Sequence, residues 1–356
     1  MEHSPSELVT EDRQTVVDNV LAQFFRAALS RARTLDPSYL ELWRELEANT
    51  VGGKRFRPRM VAIAYDALGG IETEPPAYVG AAFELLHTAL IIHDDVIDRD
   101  FVRRGVPNIA GSYRDRALER GMDAAVAEHR GVSAAVIAGD LALFNAYRLI
   151  DRSGANDVVR DRLLEVLDEA LFASAAGELI DIEYSGDLEP PTVHDILRMA
   201  RLKTAVYTFE CPLQAGAILA GASDAVVATL GDFGREIGIA FQLVDDLLGV
   251  FGSESLTGKT TLGDLREGKR TVLVAYARMR DGWSAIEEDF GNPELDEEGA
   301  ERIRAFLTDC GARRYLESLA QDYARRALER LSAPHVPSAL RDVLIPVADE
   351  VLERVK

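Results

Sequence analysis

Residues 82–98 read AFELLHTALIIHDDVID. The apolar positions recur three and four apart, the spacing of a helix, and no Gly or Pro interrupts them. The run then ends on three carboxylates, Asp94, Asp95 and Asp98. The same spacing of apolar residues continues through most of the chain, while alternating β-branched runs are scarce. The pattern predicts an all-α protein.

Helices are expected over 10–32, 38–48, 56–68, 77–97, 115–127, 132–152, 156–184, 192–220, 223–251, 263–281, 296–331 and 338–355. The breaks carry turn chemistry: TVGGKRFRP, GGIETEPP, RRGVPNIAG, SGDLEPPT, FGSESLTGKTTLG and DGWSAIEEDFGNPELDEEG. None has the length of an interdomain linker, and no repeat or low-complexity tract is present. A single domain over 1–356 is expected, one large helical bundle, with residues 1–9 flexible.

The chain has 356 residues and 47% hydrophobic content, enough for a sizeable core. Its 60 acidic against 40 basic residues give a net charge of -20, which argues against nucleic acid or an anionic membrane surface as partner. Cys211 and Cys310 are too few for a disulfide framework and lack metal-ligand spacing. MEHSPSELVTEDRQ lacks the basic start and apolar centre of a signal peptide. AAVIAGDLALFNAYRLI, residues 134–150, is interrupted by Asp140, Asn145 and Arg148 and reads as a buried helix, not a membrane span. A soluble cytoplasmic protein is expected.

In a helix over 82–98, Asp94 and Asp98 lie one turn apart on one face, with Asp95 beside them, so their carboxylates can converge on one ion. Carboxylates at a helix C-terminus meet its partial negative charge and need something positive to offset it. Phe101-Val102-Arg103-Arg104-Gly105 follows and can supply cations; oxygen-only ligation also suits Mg²⁺ with phosphate oxygens and water. The competing reading is a solvated acidic helix end. A second copy of the arrangement favours the metal: IGIAFQLVDDLLGVFG, residues 237–252, again runs apolar residues into a pair, Asp245 and Asp246.

Basic clusters give such metals a companion anion. Gly52-Gly53-Lys54-Arg55-Phe56-Arg57-Pro58-Arg59 gathers four cations where glycines allow close approach of backbone to ligand. Arg103-Arg104, Lys203-Thr204, Lys259, and Lys269-Arg270 are further candidates for phosphate oxygens, each with a surface salt bridge as the alternative. Glu84-Leu85-Leu86-His87 matches the E-x-x-H of a di-iron bundle, but no second pair exists. His87 is either a satisfied buried histidine or a donor to a diphosphate.

These residues together resemble the trans-polyprenyl (isoprenyl) diphosphate synthases. The matching elements are GGKRFRP at 52–58, ELLHTALIIHDDVID at 84–98, RRGVP at 103–107, AGDLAL at 138–143, KT at 203–204, FQLVDDLLGVFG at 241–252, and GK with DLREGKRT between 258 and 271. The resemblance implies an all-α bundle of the isoprenoid synthase type with a central substrate cavity, usually a homodimer. It implies that Asp94, Asp98 and Asp245 hold three Mg²⁺ on an allylic prenyl diphosphate, with Asp95 and Asp246 in support. Lys54, Arg57, His87 and Arg104 match the residues that hold isopentenyl diphosphate. Arg103, Lys203, Lys259 and Lys269 match those on the allylic diphosphate, and Thr204 and Gln242 the polar groups near the reacting carbons.

The activity implied is head-to-tail condensation of the two diphosphates, with geranylgeranyl diphosphate the expected product. Farnesyl or longer-chain synthesis, a class I terpene cyclase and a non-catalytic synthase subunit are the alternatives. Short-chain members typically carry an aromatic floor upstream of the first aspartate; here small Ala89 stands at that level, and the next bulky candidate, Phe83, lies about 16 Å below Asp94. Two departures stand out. Gly249 occupies the position of the third carboxylate of the second motif, so weaker or water-mediated binding of one metal is expected. Gly263 falls one residue later than the glycine of the family's GK loop.

Overall fold

The computed structural model describes residues 5–103, 105–186, 190–252 and 261–354, with side chains from residue 13 onward. Its chain divides into two compact units, one of residues 1–171 and 211–227, the other of 172–210 and 228–356.

The first unit is built on α1 (Pro5–Ala32), α2 (Pro37–Thr50), α3 (Phe56–Ala67), α4 (Glu74–Ile97), α5 (Ile109–Glu119), α6 (Ala124–Asp151), the first half of α7 (Asp157–Gly186) and α9 (Cys211–Leu219). α4 lies at its centre, packed on α1, α3, α6 and α9. Phe83, Leu85, Leu86 and Ala89 are wholly buried there, and burial of each large side chain stabilises the fold by about 1.5–3 kcal/mol. Gly139 on α6 allows the close approach to α4, because a Cβ there would sit 2.2 Å from Nε2 of His93. By length and composition α4 and α6 are the two helices among the described residues that could cross a membrane; 72% of the α4 window is buried in protein, against 50% for α6.

The second unit carries the rest of α7, α8 (Val193–Ala200), most of α10 (Asp224–Phe251) and the helices Gly263–Arg266, Val272–Arg278, Glu297–Asp309, Ala312–Arg330 and Ser338–Glu353. Its core joins Leu243, Val244, Leu247 and Val250 of α10 to Leu265, Leu273, Ile303, Leu307 and Leu316. The Thr192 hydroxyl accepts from the Asp195 amide while the Thr192 amide donates to the Asp195 carboxylate, a reciprocal cap that starts α8.

The expected all-helical class holds, with local differences. The helix expected over 192–220 is α8, a π-helical segment Arg201–Glu210, and α9. Pro212, which has no N–H to donate, stands at the junction with α9. The helix expected over 296–331 breaks at Cys310 and Gly311, where φ is +84° and only glycine is unstrained. The loop expected at RRGVP is a short antiparallel ribbon in which Val102 pairs Pro107 and Arg103 pairs Val106.

Candidate active site

In the first unit, α4 is capped by Asp98, whose amide donates to the Asp94 carbonyl at 2.8 Å. Asp95 is buried, Asp94 half-buried and Asp98 exposed. The strand Val102–Arg103, paired with Val106–Pro107, delivers Arg103 to this end. Its Nε donates to Asp95 Oδ1 at 2.7 Å, and its Nη2 to Asp94 Oδ2 at 3.1 Å. Burial pushes the Asp95 carboxyl above its usual range, with Arg103 pulling against that shift. Burial likewise opposes the charge of Arg103, and its bonds to the two aspartates outweigh it, so the guanidinium is held more firmly charged. Thus the positive charge demanded by an acidic helix C-terminus comes from Arg103.

The basic loop divides its cations. Gly52 and Gly53 adopt φ of +94° and +85°, and Lys54 is exposed. Arg55 turns inward at 5% exposure, pairing with Asp18 at 2.9 Å and Glu84 at 3.2 Å and donating to the Thr50 carbonyl. Arg55 is therefore a structural cation, and Glu84 is committed to it instead of to an iron. Arg57 and His87 are half-buried.

In the second unit, Thr204 Oγ1 donates to Gln242 Oε1 at 2.9 Å, and Gln242 Nε2 donates to Asp246 Oδ1 at 2.9 Å. The fixed donors and acceptors of an amide orient Gln242 between its two partners. Asp246 is 6% exposed; burial pushes its pKa up to about 7, against the pull of Lys269 and Gln242. Lys203 Nζ bridges Asp181 at 2.7 Å and Glu178 at 3.0 Å. Lys269 lies 3.8 Å from Asp264, and Lys203 is near enough to Lys269 to oppose its charge.

Asp245 takes a partner that no motif announces. Arg354, just past the helix Ser338–Glu353, pairs with Asp245 Oδ1 at 2.7 Å and stacks over the Phe241 ring at 4.4 Å. Glu178 and Asp181, Asp264, and Arg354 are thus the ion-pair partners of the candidate residues Lys203, Lys269 and Asp245, and sequence reasoning does not single them out. Asp264 lay inside a quoted motif; nothing local in the sequence marks Arg354. Arg104 and Lys259 lie outside the described residues.

Among the described residues no three acidic, His or Cys side chains converge closely enough to hold a metal unaided. The donors are carboxylates alone, set at two helix ends. That set fits a hard cation such as Mg²⁺, which takes few protein ligands and draws the rest from phosphate oxygens and water.

The model of the polyprenyl synthetase family matches residues 41–305, most of the chain and both units. The chain belongs to this family. Among its curated relatives are a geranylfarnesyl diphosphate synthase of Aeropyrum pernix, 36% identical over 86% of this chain and 91% of the relative, and a geranylgeranyl diphosphate synthase of Sulfolobus acidocaldarius, 35% identical over 63% of each. Among solved structures, the geranylgeranyl pyrophosphate synthase of Corynebacterium glutamicum, complexed with isoprenyl diphosphate and magnesium, superposes with a TM-score of 0.89 at 29% identity, covering 97% of this chain and 99% of that one.

Proposed function

We propose that the protein is a trans-prenyltransferase that condenses isopentenyl diphosphate with an allylic prenyl diphosphate and releases diphosphate. The observation that carries this reading is the Asp94, Asp95 and Asp98 helix end with Arg103 folded onto it, in a chain of the polyprenyl synthetase family. Breaking the allylic C–O bond leaves a carbocation and a highly charged leaving group, so the site must neutralise that charge and keep water out.

Asp94, Asp98 and Asp245 are assigned to three Mg²⁺ ions, with Asp95 and Asp246 in support. Bound to the diphosphate, Mg²⁺ would supply Lewis-acid stabilisation of the leaving group. Arg103, Lys203, Lys259 and Lys269 are assigned to the allylic diphosphate oxygens. Lys203 can turn to them while keeping one of its two carboxylate partners, Glu178 or Asp181. Lys54, Arg57, His87 and Arg104 are assigned to isopentenyl diphosphate. Thr204 and Gln242, already locked to each other and to Asp246, present fixed dipoles to the developing cation. The proton lost at the end goes to the departing diphosphate, and no side chain is assigned as base.

The product is geranylgeranyl diphosphate, because small Ala89 stands at the level of the expected aromatic floor and the next bulky side chain on that side, the buried Phe83, lies about 16 Å below Asp94. The relative of Aeropyrum pernix makes geranylfarnesyl diphosphate the second reading. The working form is a homodimer of one-domain subunits in the cytoplasm. Its support is the α6 face, where Ile137 is 50% and Phe144 65% exposed beside a groove lined by Phe24, Leu35, Tyr39 and Trp43.

Labelled isopentenyl diphosphate, offered with Mg²⁺ and each of dimethylallyl, geranyl and farnesyl diphosphate, tests the function. Label is expected in a geranylgeranyl product. Failure to incorporate label with every starter would remove the synthase reading, and ionisation of a starter without incorporation would indicate a cyclase.

A further inference from the structure

Two costs meet at Arg55. Its backbone is left-handed, with φ +48° and ψ +43°, in a loop that places glycine at its two earlier left-handed positions, Gly52 and Gly53. A side chain makes that conformation unfavourable. Its guanidinium is also buried, and desolvating a charge offsets most of what pairing it returns. A loop that needed only a turn here would carry glycine and leave its cations in water.

The buried guanidinium instead reaches three other helices. Nε donates to Asp18 of α1 at 2.9 Å, and Nη1 donates both to the Thr50 carbonyl at the end of α2, at 2.8 Å, and to Glu84 of α4, at 3.2 Å. The next residue, Phe56, opens α3. Gly80, one turn before Glu84, lets α4 lie close against that opening: a Cβ there would sit 3.0 Å from Cα of Pro58 and 3.5 Å from Val17 of α1. Arg55 thus ties α1, α2, α3 and α4 together at one point.

Assigned diphosphate ligands flank this tie. Lys54 and Arg57 lie one residue before Arg55 and two after it, and His87 lies one turn beyond Glu84 on α4. We propose that Arg55, held by Asp18 and Glu84, is a positioning residue that sets the spacing between the basic loop and His87, and with it the fit of isopentenyl diphosphate. Asp18 stands upstream of residues 41–305, the span that the family model matches, so α1 acts on the site from outside that span. The rival explanation is an ion pair that only stabilises the unit, and such a pair would favour neither substrate.

The inference rests on the synthase reading, in which Lys54, Arg57 and His87 hold isopentenyl diphosphate, and the test separates the two. Isopentenyl diphosphate is titrated calorimetrically into the full chain with Mg²⁺ and an unreactive allylic thiolodiphosphate present; the analogue is also titrated alone with Mg²⁺, and melting is followed for every variant. Asp18→Ala removes a half-exposed partner from a helix that alanine favours. It is expected to weaken isopentenyl diphosphate binding about 10-fold, as for loss of one hydrogen bond to a charged group, and to leave the affinity for the allylic analogue unchanged. Steady-state kinetics should show the same split, with KM rising for isopentenyl diphosphate alone. Asp18→Glu, which keeps a carboxylate acceptor, recovers most of the loss. Arg55→Gly relieves the left-handed backbone and still loses at least as much affinity as Asp18→Ala. Parent-like isopentenyl diphosphate binding by Asp18→Ala overturns the inference, as does equal weakening towards both substrates or full affinity in a folded Arg55→Gly chain. A parent chain that binds neither ligand and makes no prenyl product overturns the functional reading and this inference with it.

Discussion

At the scale of single residues, Asp246 is held close to neutrality by burial, so the native state keeps a proton that the unfolded chain releases near pH 4. The native form then binds more protons than the unfolded form from about pH 4 up to about 7, and stability falls as pH rises through that window. Melting curves of the metal-free protein and of Asp246→Asn should therefore converge at low pH and separate towards neutrality; curves that stay parallel would count against this. On α4, Ala89→Phe places a ring in the buried wall and is expected to shorten the product by at least one isoprene unit, read from product chain lengths. An unchanged distribution would refute that wall as the length stop. What could be read from sequence here was the chemistry concentrated in one stretch, such as Asp94, Asp95 and Arg103. Arg55 and Arg354 were not legible, since only the folded chain shows one turned inward onto Asp18 and Glu84 and the other brought to Asp245.

Among the elements, the π-helical segment Arg201–Glu210 decides where Lys203 and Thr204 point. It is pinched between two helices of the same unit. A Cβ on Gly177 of α7 would lie 2.3 Å from the Lys203 backbone nitrogen, and one on Gly238 of α10 would lie 2.6 Å from the Ala205 Cα. Backbone cannot yield as a flexible side chain can, so Gly177→Ala or Gly238→Ala should cost about 1–3 kcal/mol and lower kcat more than it raises the substrate KM. Denaturant melts and steady-state kinetics check both effects; wild-type behaviour in both would show that the segment does not depend on the close approach. Periodicity marked this stretch as helix but not its register. The wider turn depends on glycines far away in sequence, as well as on Pro212, and spacing within the stretch cannot reveal them. The same limit hides the breaks at Gly121 and Gly311: a left-handed glycine interrupts a helix without disturbing its apolar pattern.

For the whole molecule, the long apolar helices divide by how fully protein covers them. α4 is enclosed, whereas α6 keeps Val136, Ile137 and Phe144 at the surface. With the homodimer proposed through this face, Phe144→Asp should convert dimers to monomers in light scattering while leaving helical content intact; a variant that remains dimeric would move the interface elsewhere, and a parent chain that is already monomeric would remove the proposal. The helical class and both acidic helix ends were legible because they repeat a pattern over many residues; the division into two compact units was not, because α7 and α10 each run through a boundary without a break. One feature common to the acidic ends governs how they fill. Arg103 sits on Asp94 and Asp95, and Arg354 on Asp245. A divalent ion arriving alone must evict a guanidinium that then has no anion to go to, whereas an ion arriving with a diphosphate offers that guanidinium a replacement. On the proposed function, loading is therefore expected to be cooperative between cation and substrate, each raising the affinity for the other, with bare divalent ions taken up poorly.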